Sequence, residues 1–306
     1  MNTKKLIVFL LWAFLPMVIV EVVMHLIGAS TAGLSEDSID TLAVIKGMVL
    51  SAGAMFTPLL AIILTQLIFK EPVLKNLDIS FKINRWWWLG WLLMPFIAFA
   101  VLGVTLLMPG AKWTPDSEMI LSVIQSLPEG IGVWGIMVIT VVSGLMSGIT
   151  INAVFALGEE IAWRGFLLKE FKGKKFLVVA LWIGIIWGLW HAPLTIAGHN
   201  FGTDYAGYPF VGILMMCLFC VMMNCFLTLV TEKTRSIYPA SFIHMINNNL
   251  SVGILLMNFG SETAIQKTEG IHSIESFFIL TGASIVTAVI SFIIFMKKDE
   301  TETASV

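Results

Sequence analysis

The stretch Ala156–Leu167, ALGEEIAWRGFL, holds Glu159, Glu160 and Arg164 inside an otherwise apolar run. On a helix, Glu160 and Arg164 stand four residues apart on one face and pair, whereas Glu159 is turned about 100° away toward a different neighbour. The stretch thus offers one neutralised carboxylate and one free one. A solvated helix end would explain such charges, but the apolar GFLL from Gly165 argues that hydrocarbon resumes before Lys169. His191 follows in WGLWHAP, where Pro193 frees a backbone carbonyl one turn back. Alone, His191 reads equally well as a structural histidine bonded within a bundle. His244 and Asn248, in HMINNN, share a helix face four residues apart, with Asn247 beside them. A carboxylate, two imidazoles and an amide are the parts of a hydrolytic site. Glu159 suits a general base on a water, with His191 holding that water or sharing its proton. His244 and Asn248 suit donors to the oxyanion of a tetrahedral intermediate.

The elements that must position these groups are membrane helices. Of 306 residues, 58% are hydrophobic and 12% charged, against about 25% charged in a soluble domain. The expected fold is all-α, a single polytopic membrane domain over residues 1–306 with about eight transmembrane helices. Eight stretches reach the roughly 20 apolar residues of a span. They are Leu6–Ile27, Val44–Phe69, Trp86–Met108, Gly132–Leu168, Phe176–Ala197, Phe210–Val230, Ile237–Phe259 and Ile274–Met296. Gly132–Leu168 is too long for one upright span and must tilt, kink or lie partly at an interface. Measured from the nearest basic loop at 1.5 Å per residue, Glu159 lies about 15 Å deep, His191 about 24 Å and His244 about 14 Å, which allows one common cavity. Charge in hydrocarbon costs about 2.5–3.5 kcal/mol per group and usually marks function.

Lys and Arg collect on alternate loops: Lys4 and Lys5, Lys70 to Arg85, Arg164 to Lys175, Lys233 and Arg235, then Lys297 and Lys298. The opposite loops hold Lys112 and Lys267. The positive-inside rule therefore places a multi-pass protein in the cell membrane with both termini cytoplasmic. Trp86, Trp87 and Trp88 after Arg85 fit an interfacial aromatic belt. The first apolar run exceeds the roughly 7–15 residues of a signal-peptide core and carries Glu21 and His25, so a retained helix is expected. The net charge of −2, with no repeating basic face, gives no footprint for nucleic acid. Cys217, Cys220 and Cys225 share one apolar segment, and inert buried thiols are expected.

Three spaced motifs, Glu159-Glu160-x-x-x-Arg164, Trp187-x-x-x-His191 and His244-x-x-x-Asn248, in this order on three separate apolar segments, resemble the type II CAAX prenyl endopeptidase family, also called CPBP or Abi. The resemblance covers Leu157 to Leu250, and the corresponding catalytic core is placed at residues 131–258. Trp187 stands where the family often has phenylalanine, which keeps an aromatic wall. The resemblance implies an eight-helix bundle with a site open to the cytosol and the bilayer. It implies cleavage of membrane-associated peptides or lipidated CAAX-type tails. It assigns water activation to Glu159 and His191, the oxyanion to His244 and Asn248, and supporting roles to Glu160, Arg164 and Trp187.

A Glu/His/His set is also able to bind zinc. HExxH is absent, however, and no carboxylate partner for the histidines is evident in the sequence, so a metal-free water activated by Glu159 is the preferred expectation. Two other classes use the same residues. A non-catalytic scaffold or bacteriocin self-immunity protein would bind a partner in the cavity, though it would gain nothing from isolated buried charge. A transporter would use Glu159 and the histidines as a proton relay, but no inverted repeat of broken helices is apparent.

Overall fold

The computed structural model describes residues 2–28, 41–106, 118–150, 152–201, 203 and 207–258. All regular elements among them are helices: α1 (Thr3–Leu26), α2 (Thr41–Ala54), α3 (Thr57–Ile68), α4 (Arg85–Leu106), α5 (Glu118–Gln125), α6 (Val133–Ser147) and α7 (Asn152–Glu160). A π-helical segment, Ile161–Leu167, leads from α7 into α8 (Leu168–Glu170). Then come α9 (Phe176–Trp190), α10 (Ala192–Ile196), α11 (Phe210–Thr234) and α12 (Tyr238–Asn258). Helices satisfy their own backbone hydrogen bonds, as segments in lipid must. Several are apolar on the outside as well as the inside. Leu11, Leu15 and Val22 of α1, Phe96 of α4 and Val138 of α6 are all exposed, as bilayer-immersed helices are.

Among the described residues, three stretches are long and apolar enough to cross a membrane: Thr3–Leu26, Ile45–Ile68 and Phe210–Thr234. A fourth joins them if α6 and the α7–α8 run are counted as one broken span. Eight spans are not confirmed among the described residues, and two of the expected stretches are divided. The long Gly132–Leu168 stretch is two helical runs bent by 53°. The Phe176–Ala197 stretch breaks at His191 into α9 and α10, leaving α9 with 15 residues. Ile274–Met296 lies outside the described residues.

α1 is built into the core. Phe9, Ala13 and Met17, spaced by four, are fully buried on the face toward α3. Lys5 continues that stripe, and its Nζ stands 2.7 Å from both Glu71 Oε2 and Glu170 Oε1. One ammonium therefore ties together the start of α1, the end of α3 and α8.

α9 and α11 form the closest pair. A Cβ on Gly184 would lie 2.3 Å from the Val221 Cα, and one on Gly188 would lie 2.4 Å from the Cys217 Cα. Gly184-x-x-x-Gly188 thus presents a flat stripe on which the α11 backbone rests, the small-residue packing common between membrane helices. Asn224 Nδ2 of α11 donates to the Ala180 carbonyl at 3.0 Å, one turn further along the same stripe. The three cysteines are free; Cys220 and Cys225 are buried, and Cys217 is half-buried against Gly188. α12 packs on α4, α6, α7 and α11, which sets His244 against the end of α7.

Candidate active site

The EExxxR motif ends α7 and opens the π segment. α7 comes close to the break between α2 and α3, since a Cβ on Gly158 would lie 2.7 Å from the Met55 carbonyl oxygen. All seven residues of the π segment are buried. Single π turns within helices recur at functional sites, where the wider turn redirects side chains. Glu160 and Arg164 are both fully buried, and Arg164 Nη1 donates to Glu160 Oε1 at 3.0 Å, as their spacing requires. Glu159 is 2% exposed and faces elsewhere. Its Oε2 accepts two indole N–H groups, from Trp187 at 2.7 Å and Trp163 at 3.3 Å.

His191 sits at the break between α9 and α10, with Pro193 in the first turn of α10. Its backbone N–H bonds the Gly188 carbonyl at 3.1 Å rather than continuing the α-helical ladder. The Trp187 carbonyl meets the His191 side chain instead, Nδ1 at 2.9 Å. A carbonyl only accepts, so Nδ1 carries a proton, and a neutral His191 presents an accepting Nε2. The carbonyl that meets this histidine is that of Trp187, four residues before it, and not the Leu189 carbonyl that Pro193 leaves free.

His244 reaches α7 from α12. Its Nδ1 stands 2.8 Å from Glu160 Oε1, the oxygen that also accepts from Arg164. The carboxylate partner for a histidine that the sequence did not disclose is thus Glu160. Trp187 touches each part of the site. Its ring lies under the Arg164 guanidinium at 4.3 Å and edge-on to His244 at 5.2 Å. It is also tilted against His191 at 6.1 Å. Asn248 shares the His244 face one turn on. It is exposed, and its Oδ1 accepts from Asn247 Nδ2 at 3.4 Å.

The structure therefore joins Glu159, Glu160, Arg164, Trp187 and His244 by direct contacts, and His191 through Trp187. Trp163 is a member that the motif reading missed. Its signal was available, since it follows Glu159 by four residues, as Arg164 follows Glu160. The groups that a zinc ion would use are partly engaged. Glu159 Oε2 is turned into two indoles, and Glu160 Oε1 is shared by Arg164 and His244. Among the described residues no three His, Cys, Asp or Glu side chains form a ligand group.

Apolar helices thus gather two buried carboxylates and two imidazoles around Trp187. Residues 133–250, running from α6 into α12 and carrying all three motifs, match the family model described as type II CAAX prenyl endopeptidase Rce1-like. No curated protein matches the chain.

Proposed function

We propose that this protein is an intramembrane endopeptidase that cleaves membrane-associated peptides or lipidated CAAX-type tails with a water activated by Glu159. It acts as a multi-pass protein of the cell membrane with both termini cytoplasmic. The observation that carries this reading is the buried Glu159 carboxylate beside the Glu160–Arg164–His244 network, built from helices far apart in the chain. A scaffold would have no use for a buried carboxylate held by two indoles beside an arginine–glutamate–histidine network.

In the reaction, a water hydrogen-bonded to His191 Nε2 gives a proton to Glu159, and its oxygen forms a bond to the scissile carbonyl carbon. The carbonyl oxygen takes up the charge and is met by His244 Nε2–H and the Asn248 amide. The C–N bond then breaks, and the proton held on Glu159 passes to the leaving amine. His244 donates toward the substrate only if its ring carries both protons, because Nδ1–H is already directed at Glu160. No step needs a metal.

The test uses purified protein in nanodiscs with a prenylated CAAX-type peptide and its unprenylated twin. Comparative proteomics of membrane peptides from cells carrying wild type or Glu159→Ala accompanies it. Cleavage products that vanish in the variant are expected; indistinguishable peptide profiles together with no cleavage in nanodiscs would reject the reading.

A further inference from the structure

We infer that Trp163 and Trp187 form an indole clamp that holds Glu159 by one oxygen and aims the other at the water. Both are positioning residues. The inference rests on the function proposed above and adds two roles that the motif does not state. Both indole N–H groups converge on Oε2, at 2.7 Å and 3.3 Å. A carboxylate caught by two donors on one oxygen has lost its freedom to rotate about its last torsion, so Oε1 has a defined direction.

Each jaw is itself fixed. Trp187 is 2% exposed and is held flat by the Arg164 guanidinium at 4.3 Å. Its carbonyl accepts from His191 Nδ1, so one residue sets both water-activating groups through two different atoms. Trp163 is fully buried, with Phe9 of α1 against it edge-on at 6.1 Å and Trp190 at 6.0 Å on another side. α1, far from the motifs in sequence, is therefore the backstop of the general base. Indole suits this task because it donates and never accepts. It cannot compete for the proton that Glu159 must take, and its bulk keeps other water from the carboxylate.

The test replaces each indole by benzothienylalanine, in which sulfur stands for the N–H at unchanged size, and by phenylalanine. Loss of either donor is expected to lower kcat roughly tenfold and loss of both roughly a hundredfold, from the usual strength of hydrogen bonds to charged groups. KM and the melting temperature of the benzothienylalanine proteins should stay near wild type. Trp182→Phe on the exposed face of α9 serves as control and leaves kcat unchanged. A kcat within twofold of wild type in the doubly substituted protein overturns the clamp, as does a rise in KM alone.

A second readout does not depend on turnover. In protein labelled with ¹⁵N at tryptophan, Glu159→Ala should move the indole N–H resonances of Trp163 and Trp187 and leave that of Trp182 in place. Unmoved resonances would overturn the clamp. Moved resonances in a protein that cleaves nothing would leave the clamp standing and remove the protease reading instead.

Discussion

Glu160 Oε1 stands 2.8 Å from His244 Nδ1 across 84 residues of sequence, and the same oxygen accepts from Arg164. One carboxylate thus answers two potential cations in a fully buried place. Glu160→Gln keeps the shape and removes that counter-charge. It should lower stability by about 3–5 kcal/mol, the usual cost of breaking a buried pair, and activity with it. Thermal melts in nanodiscs read this. Adding Arg164→Gln removes the second charge and should restore part of the stability without the activity, a coupling that a double-mutant cycle isolates.

Arg164→Ala leaves Glu160 with His244 alone and exposes one face of Trp187. Membrane abundance and melting temperature should both fall, by an amount in the same range of about 3–5 kcal/mol. Unchanged levels on quantitative immunoblots would mean that the ion pair contributes nothing to folding.

Glu159→Gln is expected to behave differently. The amide has the shape of the carboxylate and still offers an oxygen to the two indoles. Insertion and melting temperature should be retained while cleavage falls by at least 10²–10⁴-fold, as loss of a general base implies. Turnover near the wild-type rate in the purified variant would remove Glu159 from this role.

Asn248 is exposed and one turn from His244, where it can meet a bound peptide. Asn248→Ala should lower kcat by about 10²–10³-fold with little change in KM, because an oxyanion donor acts on charge that develops in the transition state. In the same assay, chelator should leave wild-type activity intact, and elemental analysis should find no stoichiometric zinc. Activity lost on chelation and restored by added metal would replace the metal-free scheme.

Gly188→Val tests the support of the site rather than its chemistry. A β-carbon at this position meets the α11 backbone at 2.4 Å, and backbone does not yield cheaply. α9 must move away, taking Trp187 and His191 with it. Both melting temperature and kcat should drop, whereas Leu181→Val on the exposed face of the same helix should change neither.

The motifs were legible because each is a short-range pattern: Glu160 with Arg164, and His244 with Asn248, lie one helical turn apart. The partners that complete the site come from other helices, and no periodicity announces them. Glu160 meeting His244 and Trp187 meeting Glu159 depend on how α7, α9 and α12 are set against one another. The Gly184-x-x-x-Gly188 stripe was readable but passed over, since glycine in an apolar run carries no charge to draw notice. The π segment depends on hydrogen-bond register, which residue types barely encode. The helices among the described residues do not confirm eight spans, since hydropathy measures composition and overlooks breaks such as the one at His191.

The Lys5 ammonium joins partners made at very different times. Glu170 lies 165 residues downstream, so at a synthesis rate of about 5–20 residues per second it follows Lys5 by roughly 8–33 s. Glu71 emerges much sooner. For most of that interval the first helices can already stand together in the bilayer with Lys5 held by Glu71 alone. Glu170, on the segment that follows the two glutamates, is the last of the three partners to be made. The order of birth along the chain thereby keeps the most charged helix from being the first to seek a place in the lipid.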